Sequence, residues 1–179
     1  MGDLSKTGTT TRTRSYDYAV AGLNLAAARD LSGLDYLLAL TRGEFGNRPS
    51  MGDTMNMSIP FDLSHGHALI EGTPADYLLN PMGAVHGGWA ATLLDSATGV
   101  AVHSALPAGV GYTTADLKVN YTRAIRPDTG TLRAEGRVIH VGRQMATAEA
   151  RLTGVADGKL YAHATATCFL FPIPAGPNA

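Results

Sequence analysis

Residues 85–106, VHGGWAATLLDSATGVAVHSAL, form the longest apolar segment of the chain and stop just before Pro107. Length and alanine content predict a helix, and apolar side chains on nearly every side predict one that is buried all round. From Thr113 onward the period changes to two. Leu117, Val119 and Tyr121 alternate with Lys118, Asn120 and Thr122, and the same alternation recurs over residues 133–138, 147–152 and 160–171. Four successive strands with short turns imply an antiparallel sheet. Before the helix lie two further strand-like runs, residues 55–63 and 67–73, joined by a turn at Ser64-His65-Gly66. Strand, strand, buried helix and four strands make an α+β protein whose antiparallel sheet wraps around one long central helix.

Charge sets one register in advance. If Gly142-Arg143-Gln144 is a three-residue hairpin loop, Arg137 faces Glu149 and Glu135 faces Arg151; a two-residue slip would oppose Glu135 and Glu149. Upstream, residues 1–15 are rich in Thr, Ser and Gly and are expected to be a disordered leader. Residues 16–50 read as a helical extension in two pieces. The second opens on Ser32 and Asp35, spaced as in a capping box, and stops at Gly43, with a loop over 43–52. The sheet-and-helix domain then covers 51–173, and 174–179 is a tail.

The chain has 179 residues, 45% hydrophobic and 16% charged, enough for one domain with a substantial core. A net charge of −1 argues against a bulk nucleic-acid binder, and one cysteine excludes an internal disulfide and any multi-cysteine metal site. No segment is long and apolar enough to span a membrane, and the N-terminus lacks a signal-peptide core, so a cytoplasmic protein is expected. No histidine shows metal-ligand spacing with nearby acids, so no metal is expected. The near-neutral total hides an asymmetry: +4 over residues 118–151 and −5 over the remainder. This is either a solvated Arg-rich sheet face or a site for an anionic ligand.

Two features of the long helix carry chemistry. Asp95 is its one charged residue between Gly87 and Val102. Buried, it is either tied to a neighbouring hydroxyl such as Thr92 or Ser96, or it is a general base or nucleophile. His86-Gly87-Gly88 opens the helix, where free N–H groups and the positive dipole end favour a developing oxyanion. A tight loop would also need the glycines, and His86 is equally readable as a packed or capping residue. Trp89 is read as core or substrate-pocket wall, and Cys168 as a packed residue.

Taken together, Asn80-Pro81-Met82-Gly83-Ala84-Val85-His86-Gly87-Gly88, followed by Thr92-Leu93-Leu94-Asp95, resembles the signature of PaaI-type hotdog-fold acyl-CoA thioesterases. The strand Thr113-Thr114-Ala115-Asp116-Leu117-Lys118-Val119-Asn120-Tyr121 adds to the resemblance, which spans about residues 50–172. It implies a hotdog fold and thioester hydrolysis with the Gly87 N–H as oxyanion donor. Asp95 would be base or nucleophile, Asn80 would orient carbonyl or water, and Thr114, with Thr113 as alternative, would position water. It also implies coenzyme A contacts from Arg123, Gly142 and Arg143 beside Gly88, with coenzyme A part of the substrate rather than a cofactor. At 1.5 Å per residue, Gly87 and Asp95 stand about 12 Å apart along one helix. One thioester carbon cannot touch both, so the site needs a homodimer, as a pair or as a dimer of dimers. The competing readings are a non-catalytic acyl-CoA-binding hotdog protein and a hotdog enoyl-CoA hydratase or dehydratase.

Overall fold

The computed structural model describes residues 10–18, 20, 24–45 and 49–174. The long helix, α4, spans Gly87–Ser104 and is gripped by one six-stranded sheet. The strands are β1 (Phe61–Ser64), β2 (His67–Gly72), β3 (Val110–Tyr121), β4 (Leu132–Val141), β5 (Met145–Gly154) and β6 (Leu160–Pro172), all antiparallel in the order β1-β2-β4-β5-β6-β3. Trp89, Leu93, Leu94, Ala97 and Val102 of α4 are buried against Ile70, Leu132, Ala134, Ala148 and Leu152 of the sheet. Small residues let the two layers close on each other. A Cβ on Gly136 would stand 2.1 Å from the carbonyl oxygen of Ala97, so β4 touches the α4 backbone directly. The charge-set register is the observed one, with Glu135 opposite Arg151 and Arg137 opposite Glu149.

Two expectations about the helix and the first strand are corrected. The helix is not buried all round: Ala91, Thr92, Asp95, Ser96 and Val100 form a half-covered stripe that the sheet leaves open. The strand expected over 55–63 is only β1. Its first residues complete a short helix, α3 below, whose cap Asn56 turns left-handed (φ 55°), and Pro60 has no N–H to give a ladder. Of the expected leader, residues 1–9 lie outside the described ones; in the part described, Arg12 pairs with Asp76 and Arg14 donates to the carbonyls of Asp53 and Thr54.

The N-terminal extension contributes α1 (Leu25–Asp30), α2 (Gly33–Thr41) and α3 (Ser50–Met55), so part of the loop expected over 43–52 is helical. Ser32 caps α2 as expected, accepting from the Asp35 N–H. Gly33 must be glycine: a Cβ there would fall 1.7 Å from the His103 carbonyl oxygen, so α2 seats directly on the end of α4.

Candidate active site

The chain enters α4 through a loop organised by Asn80. Its Oδ1 accepts from the N–H groups of Met82 and Ala84, which fixes the turn leading to His86. That commits the side-chain oxygen to structure and leaves the amide nitrogen as the group able to reach a ligand. His86 is the helix N-cap, its Nδ1 accepting from the Gly88 N–H at 2.9 Å. The capping role of His86 is therefore real, and it separates the two glycines. The Gly88 N–H is occupied; among the described residues nothing accepts from the Gly87 N–H.

Gly87 opens on a cleft of about 390 Å³ that it shares with Asn80, Tyr121 and Arg123. Tyr121 was not singled out for the site from the sequence, yet its hydroxyl donates to the Gly87 carbonyl at 3.1 Å and its ring would meet a Cβ there at 3.1 to 3.2 Å. Nothing in its strand pattern marks this contact, because it depends on how α4 crosses the sheet. Of the two readings given to Trp89, core or pocket wall, its 2% exposure fits core, and its indole N–H donates to the Met55 carbonyl at 2.7 Å.

Two turns further along α4 stands Asp95. Neither hydroxyl offered for tying it down does so: Thr92 donates to the Gly88 carbonyl, and no hydrogen bond joins Ser96 to Asp95 among the described residues; Thr98, a turn on, donates to the backbone carbonyls of Leu94 and Asp95. Its Oδ1 is buried and has no hydrogen-bond partner among the described residues. A carboxylate oxygen removed from water without a partner is costly, which is how reactive groups are held and structural ones are not. The hydroxyl-tied reading of Asp95 finds no such bond among the described residues.

Two titratable groups feel the Asp95 charge, Tyr112 of β3 and Cys168 of β6, and the Thr114 hydroxyl bonds to the second. Thr114 faces the Cys168 thiol, which burial pushes up and the Thr114 hydroxyl pulls back down, while the Asp95 charge adds to the rise. Burial also raises the Tyr112 hydroxyl, with the Cys168 and Asp95 charges reinforcing it. Both stay protonated and able to donate at neutral pH. Thr113 is on the exposed side of the strand, so of the two threonines Thr114 is the one on the helix side.

Gly142 and Arg143 lie in the β4–β5 hairpin, where the Gly142 N–H donates to the Met145 carbonyl, and Arg143 is exposed. Met145 pairs with Phe169 and Phe169 with Thr113, so Arg143 sits at the Thr113 end of β3. Arg123 sits beyond the other end, past Tyr121. Within the chain the Asn80–Gly87–Arg123 group and the Asp95–Thr114–Arg143 group are thus separate. Among the described residues, no group of three or more His, Cys, Asp and Glu side chains could hold a metal ion, and no helix is long and apolar enough to cross a membrane.

Residues 82–160 match the Thioesterase superfamily. A Halobacterium salinarum protein provisionally named an esterase is 47% identical over 77 residues, 42% of this chain, and the match spans about half (49%) of that relative. Among solved structures, a Ralstonia eutropha JMP134 protein related to phenylacetic acid degradation is 30% identical at a TM-score of 0.67, over 75% of this chain and 98% of its own. The Escherichia coli PaaI protein shares the fold at 19% identity and a TM-score of 0.66, over 77% of this chain and 96% of its own.

Proposed function

This chain belongs to the thioesterase superfamily, in its PaaI-type hotdog branch, and on that premise we propose that it hydrolyses acyl-CoA thioesters to the free acid and coenzyme A. The observation that carries the proposal is the buried, unpartnered Oδ1 of Asp95, on the same helix as the free Gly87 N–H. The Gly87 N–H polarises the acyl carbonyl and then holds the tetrahedral oxyanion. Asp95 deprotonates the attacking water or attacks the carbonyl itself, Thr114 positions the water, and the Asn80 amide orients the carbonyl.

Both halves come together only in a homodimer. β3 is a sheet edge of 12 residues, paired on one side by β6 and open on the other. Gly87 packs against Tyr121 and Gly99 against Tyr112, so α4 runs opposite to β3. A two-fold axis crossing β3 near Leu117 and Lys118 would bring the Thr114 region of one subunit beside Tyr121 of the partner subunit. Asp95 would then approach Gly87 of the partner subunit across the half-covered stripe of α4. The same operation carries Arg143 to the end of the joined sheet that holds Arg123 of the partner subunit, and the basic segment becomes a rim for the coenzyme A phosphates.

Release of free thiol from a panel of acyl-CoAs tests the reading on wild type and Asp95→Asn. Turnover falls by about 10²–10⁴-fold in the variant while the fold persists. Absence of turnover on every thioester would sink the hydrolase, and so would full activity from a particle of one 18.7 kDa chain.

A further inference from the structure

A second, apolar cavity of about 120 Å³ lies beneath α3. Met51, Met57 and Ile59 form its roof and side, and Ile70, Ser96 and Val100 its floor. Ser58, also at its wall, turns its hydroxyl to the Ile59 carbonyl and accepts from the Glu71 N–H, so it offers the cavity little polarity. The floor belongs to the half-covered stripe of α4, and Ser96 directly follows Asp95. The cavity therefore borders the same half-covered stripe of α4 that carries Asp95.

The roof is poorly built to stand alone. α3 has six residues, buries none of them, and its N-cap Pro49 supplies no side-chain bond. What holds it is at its C-terminal end, where the Trp89 indole bonds to the Met55 carbonyl from the core side and residues 12–16 hold the last turn from outside. Arg14 donates to the carbonyls of Asp53 and Thr54 at 2.6 and 2.8 Å, and the Tyr16 hydroxyl donates to the Thr54 hydroxyl at 3.2 Å. The Arg14 guanidinium is sandwiched between the rings of Tyr16 and Tyr77, 4.1 and 4.0 Å from their centroids. A cation on the last carbonyls of a helix is where the helix dipole favours it. Residues 12–16 thereby strap the roof to the turn at Asp76–Leu78.

We propose that this cavity takes the far end of the acyl group and that the Arg14 strap, by holding α3 down, sets the upper size of the acyl group accepted. The proposal rests on the thioester-hydrolase reading above. An engineered apolar cavity of about 150 Å³ accommodates benzene, so the space here suits one aromatic ring or a branched or straight chain of about six carbons. A longer chain requires α3 to lift. Arg14 never meets the reacting atoms; it is a positioning residue.

The test is kcat/KM across acetyl-, butyryl-, hexanoyl-, phenylacetyl- and dodecanoyl-CoA for wild type, Val100→Phe and Arg14→Ala. In wild type each methylene buried raises kcat/KM about fourfold up to about six carbons, and dodecanoyl-CoA falls at least about tenfold below hexanoyl-CoA. Val100→Phe fills the floor and lowers the hexanoyl-to-acetyl ratio at least about tenfold. Arg14→Ala releases the roof and raises the dodecanoyl-to-hexanoyl ratio by a similar factor. A length profile unchanged in both variants overturns the proposal. If no thioester is turned over by wild type, the hydrolase reading falls, and the cavity is judged by calorimetric binding of free hexanoate and phenylacetate instead. Binding lost in Val100→Phe then upholds the cavity as a carboxylic-acid tail site; no binding, or equal binding by wild type and variant, overturns it.

Discussion

Replacing Gly87 by proline removes the proposed oxyanion donor and leaves the helix cap in place. Gly87 is the first residue of α4, so its N–H has no intrahelical acceptor to lose, and proline is well tolerated there. His86 before it already sits at φ −61° and ψ 133°, the region that a residue preceding proline must adopt. Its bond to the Gly88 N–H is untouched. The added Cβ meets the Tyr121 ring and hydroxyl at 3.1 to 3.2 Å, so the ring must shift by a few tenths of an ångström against its own bond to the Gly87 carbonyl. Gly87→Ala imposes the same contact while keeping the N–H, and so isolates the hydrogen bond. Loss of one oxyanion-hole donor costs about 10²–10³ in kcat, roughly 2.7–4 kcal/mol. In steady-state thiol-release assays Gly87→Pro should therefore fall about 10²–10³-fold below Gly87→Ala, with melting temperatures alike. A kcat for Gly87→Pro within about threefold of Gly87→Ala would refute the assignment.

Three further outcomes follow from local geometry. His86→Ala loses the α4 cap and should lower unfolding free energy in urea by about 1 kcal/mol, with His86→Asn recovering most of it. Gly136→Ala drives a Cβ to 2.1 Å from the Ala97 carbonyl oxygen, backbone against backbone, and should cost about 1–3 kcal/mol or more by the same measurement. His103, lying between the tilted rings of Tyr36 and Tyr112, is pushed down from 6.5 to about 4 by burial, so the folded state holds it neutral where the unfolded chain binds a proton. Its contribution is full above pH 6.5 and is lost as pH falls toward about 4, an upper bound of about 3 kcal/mol; His103→Phe should flatten stability over that window.

What could be read from the sequence was what local pattern encodes. Period two and opposite charges set the β4–β5 register, and Ser32 with Asp35 set the start of α2, because in both cases the partners lie within a few positions of a known turn or cap. The site was legible where backbone geometry follows from residue type: glycines at a helix start, one acid in an apolar helix. It was not legible where function depends on which groups remain unsatisfied. That Gly88 is spent on His86 while Gly87 is free, and that Thr92 turns to Gly88 rather than to Asp95, are outcomes of side-chain competition. The strap at Arg14 was hidden for another reason: a Thr-rich stretch of low hydrophobicity looks disordered, and its anchoring carbonyls lie 39 and 40 residues away.

The separation of the donor and the acid along one helix yields a test that no single-subunit site could pass. Consider Asp95→Asn and Gly87→Pro, each inactive as a homodimer because both of its sites lack one group. In a heterodimer, the Asp95 of the Gly87→Pro subunit faces the intact Gly87 of the Asp95→Asn subunit. That site is complete, and the other lacks both groups. Random pairing on co-expression makes about half of the dimers mixed, each with one working site of two, so activity should return to about one quarter of wild type. If donor and acid served the same site within one subunit, each mixed dimer would contain one site missing its acid and one missing its donor, and mixing would restore nothing. Recovery near one quarter, with heterodimers verified by mass, is the outcome required by a helix whose Gly87 and Asp95 stand about 12 Å apart.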